Sequence, residues 1–371
     1  MGATRVADGQ AATDQRLRRP RLKTGLARLR RGPSTVQFGL DPDRAVLLTG
    51  IDATLNRCLE RLDGSAHPAE LAAALDVPKD RVDDLLHLLS AADLLEDAAV
   101  TADGWRELPL ESRDRLAPDL CSLTLTHPGP DAGKQALSRR LGAVVEVRGG
   151  GRVGAPLAGL LAAAGVGHVR VVDDASTTAA DLAPGGLARA DLGRRRGPAA
   201  SRAAGLGAPA GPAPILRAAG DPDLVVLADL PPVVGAADDL VREGTPHLVA
   251  AVRETEGLVG PLVVPGRSSC LHCHHLTRAD RDRAWPRLAA QLAAPGLGSP
   301  VERPCDVVLA ATVAAHAALQ ALTYLDTGTA TVVDGTLHIR LPGGAMRRRS
   351  WRRHPACGCA GAHQEREQTE E

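Results

Sequence analysis

The chain has 371 residues, of which 44% are hydrophobic, so it is long enough for two or three globular domains with their own cores. Lysine plus arginine and aspartate plus glutamate each total 44, which gives a formal net charge of zero. A neutral chain lacks the overall positive field that holds nucleic acid or an anionic membrane, and the sequence therefore speaks against both as partners.

Residues 1–32 are interpreted as a basic N-terminal arm. They are rich in arginine and contain no apolar stretch of signal-peptide length, and no later stretch is expected to span a bilayer. A cytoplasmic location is therefore expected. The seven cysteines agree with it, because an odd number with two closely spaced pairs is typical of metal ligands in a reducing compartment.

Residues 33–98 have the pattern of a small domain, a hairpin followed by three short helices. The apolar segments VQFGL and AVLLT flank a turn formed by Asp41, Pro42 and Asp43. Asp52 is placed to cap the first helix, and Val82 begins the apolar stripe of the third. This order of elements predicts a winged-helix-like domain.

The third helix of this domain is unsuited to DNA. It carries Asp80, Asp83 and Asp84, whose charges repel phosphates. The segment instead resembles the leader-peptide recognition element, a PqqD-like domain of systems that modify ribosomal peptides. That resemblance implies that a peptide strand adds to the hairpin edge near residues 36–40 and lies against the third helix. A packing domain without a ligand is the alternative.

Residues 99–142 show no sustained periodicity and contain several prolines. They are interpreted as a connector with one helix near residues 134–141. No function is assigned to them.

A glycine-rich turn follows the connector. The apolar run Val144 to Val147 predicts a buried parallel strand, and Gly149, Gly151 and Gly154 then form a GxGxxG turn ahead of a helix. Glycines in such a turn let backbone amides approach a phosphate, and Asp173 at the end of the next strand can accept from a ribose hydroxyl. The pattern predicts a Rossmann-like βαβ unit.

The order of motifs from residue 143 to residue 359 resembles the ThiF and MoeB family, which is related to ubiquitin-activating enzymes. After the glycine turn and Asp173 come a strand ending in Asp229, the approach from Glu256 to Gly266, and the pair Cys270 and Cys273. A long apolar helix and a second cysteine pair then follow. The resemblance implies an α/β, Rossmann-like ThiF-type domain over residues 143–359, with a flexible acidic tail over residues 360–371.

The two cysteine pairs predict a structural zinc site. Four thiolates, from Cys270, Cys273, Cys357 and Cys359, complete a tetrahedral shell and leave no position open for chemistry. The second pair is CGC, one residue shorter than the CxxC of the family, so His354 or His363 is a possible substitute ligand. Three further histidines, at positions 272, 274 and 275, are expected in a solvated loop.

The ATP site implied by the ThiF resemblance is incomplete in this chain. The family places an NxxR pair and then a lysine against the phosphates, whereas this sequence offers Asp181 and Pro184 for the pair and arginines at 194–196 near the lysine. A guanidinium does not reproduce the geometry of an ammonium group. Asp229 remains as a potential magnesium ligand. ATP with Mg²⁺ is therefore a doubtful cofactor, and the pocket is interpreted as degenerate.

A leader-binding domain fused to a degenerate ThiF-like domain resembles the partner protein of YcaO cyclodehydratases in the biosynthesis of thiazole- and oxazole-modified peptides. The resemblance implies a scaffold that binds the precursor leader and presents it to a separate YcaO enzyme; a homodimer is a family expectation. The alternative is an active adenylyltransferase acting on a C-terminal carboxylate, with a site built from Gly149, Gly151, Asp173, Arg196 and Asp229. An NAD-dependent oxidoreductase ranks last, because it leaves both cysteine pairs unexplained.

Overall fold

The structure, a computed structural model, describes residues 2–5, 17–207, 221–229, 235, 237–293 and 304–360. The chain forms two units, residues 1–138 and residues 139–371.

The first unit contains a four-stranded antiparallel sheet and a separate two-stranded ribbon. The strands are β1 (Gly2–Arg5), β2 (Pro20–Leu22), β3 (Arg28–Gly32), β4 (Thr35–Phe38), β5 (Val46–Thr49) and β6 (Leu95–Asp97). The sheet has the order β1-β5-β4-β3, and β2 pairs with β6. The predicted hairpin is confirmed, because β4 and β5 pair antiparallel across the turn at residues 41–43.

Strand β4 is not an edge of this sheet. It pairs with β3 on one side and with β5 on the other, so the predicted addition of a peptide at residues 36–40 is wrong. Residues 28–32, interpreted as part of a basic arm, form a strand in this sheet instead. Four of the five residues of β3 are exposed, and a strand of that kind needs none of the apolar alternation by which strands are recognised.

Five helices accompany these strands in the described residues of the first unit. They are α1 (Ala53–Glu60), α2 (Pro68–Leu75), α3 (Lys79–Ala91), α4 (Leu110–Thr126) and α5 (Ala132–Gly142), of which the last crosses into the second unit. The Asp52 carboxylate accepts from the Leu55 amide at 2.8 Å, which confirms the predicted cap of α1. Apolar residues of α1 and α3 share one core with Phe38 and Leu48 of the sheet. The elements agree with the predicted order, and the winged-helix assignment stays a prediction.

The segment interpreted as a connector contains two helices where one was expected. Helix α4 has 17 residues and includes Pro118, which interrupts the helical pattern in the sequence. Helix α5 begins two residues before the predicted helix. Its Lys134 is buried and lies 3.8 Å from the Glu96 carboxylate, so residues 110–138 belong to the first unit by their contacts.

The second unit is built on a seven-stranded mixed sheet. Its strands are β7 (Val144–Arg148), β8 (His168–Val172), β9 (Leu224–Asp229), β10 (His247–Arg253), β11 (Glu256–Val263), β12 (Gly335–Arg340) and β13 (Ala345–Ser350). The order is β13-β12-β11-β10-β9-β7-β8. Strands β8, β7, β9 and β10 are parallel, and β10 to β13 are antiparallel. This confirms the α/β class with a Rossmann-like half.

Helices cover both faces of the sheet. They are α6 (Gly154–Ala163), α7 (Arg196–Gly207), α8 (Asp238–Glu243), α9 (Leu271–Arg281), α10 (Trp285–Ala293) and α11 (Val307–Thr327). Helix α6 packs against α7 and α11, and α11 also contacts β10 and β11. On the opposite face, Leu240 of α8 packs on Val225 and Val249. The carboxyl ends of the parallel strands therefore meet at one edge, where the glycine turn lies.

Helix α11 corrects one expectation from the sequence. It has 21 residues, and an 18-residue stretch of it has a mean hydropathy of 1.5, so by length and composition alone it could cross a membrane. Nine of its residues are buried, and most of them belong to the core of the second unit. Its apolar composition is therefore accounted for by a helix that packs against a sheet and a second helix.

Candidate functional site

The glycine turn joins β7 to α6, as the sequence predicts. Gly149 has a φ of 110°, and its amide donates to the Val172 carbonyl at 3.0 Å. A Cβ added at Gly154 would lie 1.9 Å from the Gly149 carbonyl oxygen, so no other residue fits there without movement. The turn therefore needs glycine at both ends to bring the start of the helix against the strand.

The acid at the end of β8 is engaged by the protein itself. The Asp173 carboxylate accepts from the amides of Gly150 at 2.8 Å and Ala175 at 2.9 Å, and pairs with the Arg196 guanidinium at 3.1 Å. Its side chain is only 9% exposed. A ribose hydroxyl, the ligand predicted for Asp173, would therefore have to compete with three internal partners for this carboxylate.

Arg196 lies between two carboxylates. It contacts Asp173 and also donates to Asp181 at 2.9 Å, while Asp181 accepts from the amide and hydroxyl of Thr178, each at 2.8 Å. Burial would raise the pKa of Asp181, but the hydrogen bonds from Thr178 and the charge of Arg196 outweigh it and lower the pKa. Both carboxylates therefore offset the charge that Arg196 would bring to a phosphate.

A second arginine, Arg152, stands within the glycine turn and is not among the cationic ligands that the sequence predicts. Its guanidinium donates to the Cys305 carbonyl at 2.7 Å. The signal was present in the sequence, since a charged side chain is unusual between the glycines of such a turn. Asp229 is the last residue of β9, opposite Ala251 of β10, and its side chain lies outside the described part of the chain.

The four predicted cysteine ligands converge on one point. Cys270 caps α9, Cys273 lies in its first turn, and Cys357 and Cys359 follow β13. The Sγ–Sγ distances are 3.7 Å for Cys270–Cys273, 3.6 Å for Cys270–Cys357 and 3.5 Å for Cys273–Cys359, and all four atoms lie within 4.8 Å. Tetrahedral zinc with Zn–S bonds of about 2.3 Å requires about 3.8 Å between sulfurs. The cluster therefore has the dimensions of a zinc tetrathiolate site.

The chemistry of the cluster favours a cation. The hydrogen bond from Cys270 lowers the pKa of Cys273 to about 4, whereas burial raises the pKa of Cys359 to about 12. Crowded thiols resist a second deprotonation, and a divalent ion relieves that repulsion by binding all of them as thiolates. Three of the sulfurs belong to buried residues, and Cys359 is partly exposed.

The short CGC spacing does not prevent both sulfurs from reaching the centre. His354 is not needed as a substitute, because its Nε2 lies 2.8 Å from Asp280 and its Nδ1 accepts from the Ala356 amide at 3.1 Å. His363 lies outside the described residues.

The histidines around the first cysteine pair belong to helix α9, so the expected solvated loop is wrong. His274 is 5% exposed and stacks on Trp351 with ring centroids 4.1 Å apart, and His275 stacks on Trp285 at 5.9 Å. Burial lowers the pKa of His274 to about 3 and that of His275 to about 4, so both rings are neutral at pH 7. The tryptophan partners lie 10 and 77 residues along the chain, beyond any local sequence pattern.

Comparisons with known proteins define the fold. No protein-family profile matches the sequence. No curated protein sequence matches it either. Among solved structures, Escherichia coli MccB with succinimide matches with a TM-score of 0.65 at 14% identity, covering 92% of this chain and 99% of MccB. MccB with AMPCPP and selenomethionine MccA gives a TM-score of 0.65 at 13% identity, with the same coverage.

A second protein of known structure has a similar fold. The heterocyclase TruD matches with a TM-score of 0.58 at 18% identity, covering 94% of this chain and 43% of TruD. At these identities the likeness establishes architecture alone. The chain therefore has the MccB fold, with a cysteine cluster of zinc dimensions and a glycine turn whose arginine is paired internally.

Proposed function

We propose that this protein binds the leader of a precursor peptide and presents the peptide to a separate YcaO cyclodehydratase. In this proposal its own ThiF-type nucleotide pocket is inactive. The observation that carries the proposal is the pairing of Arg196 with Asp173 and Asp181 at the glycine turn. The fold shared with MccB, which has been solved with its MccA peptide, and with the heterocyclase TruD supports a role in peptide modification.

The charge at the glycine turn argues against ATP as a substrate. Phosphoryl and adenylyl transfer both need cations against the phosphate oxygens. Residues 139–371 contain no lysine at all, and Arg196 stands between two acids. Arg152 is bonded to a carbonyl of the protein. The three side chains Asp173, Asp181 and Arg196 together carry a formal charge of −1, which repels a triphosphate.

The peptide-binding edge in this proposal is the outer side of β5. Helix α3 begins close to the end of β5, because its Arg81 donates at 2.8 Å to Asp52, three residues beyond that strand. A peptide strand on β5 would therefore have α3 as a wall for its side chains. The chain's own β1 pairs with β5 at this edge over four residues. A peptide strand would have to displace β1 and take over its backbone pairing with β5.

The cysteine cluster has a structural role in this proposal. Zinc bound to four thiolates has no open position for a substrate. It would tie the segment after β13 to the start of α9, 84 residues apart in sequence between Cys273 and Cys357. The ion then stabilises the second unit and takes no part in a reaction.

The test of the nucleotide claim is isotope exchange between pyrophosphate and ATP. The purified protein is incubated with Mg²⁺, ATP and a candidate precursor peptide, with and without a YcaO cyclodehydratase. No exchange is expected from the protein alone, and ATP consumption is expected only with the enzyme present. Robust exchange by the protein alone would overturn the scaffold proposal.

The test of the peptide claim is fluorescence anisotropy of a labelled precursor. A variant lacking residues 1–5 is expected to bind several-fold more tightly, because β1 no longer occupies the β5 edge. A variant lacking residues 361–371 is the matched terminal truncation and is expected to bind like the full chain. Equal affinity of all three proteins would place the peptide on another surface.

A second function is an active adenylyltransferase, which is favoured by one observation. MccB, with the same fold, has been solved with ATP and with AMPCPP. In this alternative Asp229 would hold Mg²⁺ and Arg196 would leave its acids when ATP binds. The exchange experiment separates the two functions directly.

A further inference from the structure

Several arginines surround two tryptophans on one face of the antiparallel half of the second unit. The Arg349 guanidinium lies 4.6 Å from the centre of the Trp351 ring, and Arg278 lies 5.5 Å from Trp351 and 4.8 Å from Trp285. These two rings are two of only three tryptophans in the chain. The rings hold the guanidinium planes in fixed positions by cation–π contacts.

The positive charge of this group is only partly balanced. The Glu256 carboxylate accepts from Arg253 at 2.8 Å and from Arg340 at 3.0 Å, and His338 lies 3.1 Å away. Four more arginines have no ion pair or hydrogen bond from their side chains to any residue in the described ranges. They are Arg278, Arg281, Arg347 and Arg349.

The arginines lie close enough to repel one another. Burial, followed by the charges of Arg253 and Arg349, lowers the pKa of Arg278 to about 10. Burial and the charges of Arg281, Arg347 and Arg253 also lower the pKa of Arg349. Like charges held together by packing, with one carboxylate among them, are typical of a surface that receives an anion.

Strand β13 adds a row of backbone groups to this surface. It is the last strand of the sheet, and its outer side pairs with no strand in the described part of the chain. Arg347 lies opposite His338 of β12 and Arg349 lies opposite Thr336, so both arginines project on the same face. Arg348 projects on the other face, where it donates to the carbonyls of Thr331 and Val333.

We propose that this edge binds an acidic peptide segment, added as a strand along β13 with its carboxylates against Arg347, Arg349 and Arg278. Alternate acidic side chains of an extended peptide match the spacing of arginines on alternate residues of β13. Guanidinium groups bind carboxylates through paired hydrogen bonds, so the acidic side chains of the peptide match the arginines of this site.

The aromatic rings favour a peptide over a single-stranded nucleic acid. Base stacking needs an open ring face. Trp351 is 4% exposed and already carries His274 and Arg349, and Trp285 carries His275 and Arg278. The rings therefore orient arginines and offer no open platform to a base.

This inference rests on the proposed function only in assuming that the ligand is a peptide. The residues of this site are different from those of the proposed leader site. The probe is a fluorescein-labelled 12-residue peptide of alternating Glu and Thr, measured by anisotropy with the full chain loaded with zinc. Arg347→Glu and Arg349→Glu are each expected to weaken binding at least tenfold. Arg189→Glu is the matched control, because Arg189 is exposed in the same unit, and it should bind the probe as the unmodified protein does.

Circular dichroism and thermal melting show that each variant is folded before binding is compared. Arg347 is exposed, and its side chain makes no hydrogen bond or ion pair with a described residue, so its variant tests the site even if Arg349→Glu is unstable. Equal affinity of the Arg347 and Arg189 variants would overturn the proposal, and so would failure of the probe to bind the unmodified protein.

Two further arms identify the ligand. A dodecamer of deoxythymidine that binds as tightly as the acidic peptide, with the same loss in Arg347→Glu, would overturn the assignment to a peptide. Probe binding that appears only after deletion of residues 361–371 would assign the site to this chain's own acidic tail and would overturn an external ligand. If the unmodified protein binds the acidic probe but not the precursor, only the leader site is refuted. If it binds the precursor but not the acidic probe, only this inference is refuted.

Discussion

The cysteine cluster and the glycine turn lie in the same unit and were both recognised from short motifs, yet their side chains are arranged in opposite ways. The four sulfurs of the cluster lie within 4.8 Å of one another, and three Sγ–Sγ pairs are 3.5 to 3.7 Å apart. At the turn, Asp173 and Arg196 are bonded to each other and to backbone groups. The first arrangement is a group of ligand atoms that could hold a metal ion, and the polar side chains of the second are already paired within the protein.

A motif indicates a ligand only when its polar groups remain without partners after folding. Buried polar groups need partners, and a binding site is a place where the partner is the ligand. Four crowded thiols are unfavourable until a cation binds. An arginine paired with two carboxylates has already found its partners, and a phosphate would have to displace one of them.

The largest effect expected is the loss of zinc from the cysteine cluster. Cys270→Ser or Cys357→Ser should remove about one equivalent of zinc and destabilise the second unit by more than about 5 kcal/mol, because metal binding contributes directly to folding. Zinc content by mass spectrometry and the melting temperature measure the two effects together.

Cys305→Ser is the matched control for that prediction. Cys305 lies in the same unit but outside the cluster, at the segment before α11. It should keep its zinc and nearly the melting temperature of the unmodified protein. A full complement of zinc in Cys357→Ser would mean that the CGC pair is not part of the site.

The next effect concerns stability, and it separates a buried ion pair that stabilises the fold from an exposed ion pair that contributes little. Arg140 donates to Asp326 with two nitrogens, at 2.8 and 2.5 Å, and the Asp326 side chain is 3% exposed. Arg140→Met removes the guanidinium that pairs with this buried carboxylate, and we expect a loss of about 3–5 kcal/mol in the free energy of unfolding by urea.

Two further variants serve as controls for Arg140→Met. The double variant Arg140→Met with Asp326→Leu should recover much of the loss, because the uncompensated charge is removed. Arg195→Ala breaks only an exposed pair with Asp174 at 3.4 Å, and it should change stability by less than about 0.5 kcal/mol. A small effect in Arg140→Met would show that water reaches Asp326.

The sequence predicted the parts of the fold that rest on local patterns. The strand, turn and helix around Gly149 and Gly154 follow from glycine spacing and apolar runs, and the cysteine pairs follow from ligand chemistry. Strand β3 and helix α4 were missed because a strand on the sheet edge has no apolar face to detect and because Pro118 hides a helix. In each case the missing information is a tertiary neighbour.

The residues of the candidate site were predictable from local motifs, but their partners were not. Asp173 and Arg196 were both predicted to contact nucleotide, and residue types alone do not reveal that they bond to each other across 23 positions. The stacking of His274 on Trp351 spans 77 positions and depends on the return of the chain after β13. Pairings between distant residues therefore decided whether a predicted ligand was open or already occupied.

The smallest effect expected is also the most direct test of the comparison, because it opens the glycine turn. Asp181→Ala removes one of the two carboxylates on Arg196 and should strengthen ATP binding about tenfold, equal to about 1.4 kcal/mol, at a cost of about 1 kcal/mol in stability. Asp191→Ala is the matched control, since Asp191 caps a similar short turn and pairs with Arg202 at 3.0 Å. Calorimetry with ATP and Mg²⁺ on both variants measures the difference. If Asp191→Ala gained as much affinity as Asp181→Ala, general charge would explain the gain, and if neither changed, Arg196 would not be the group that closes this turn to phosphate.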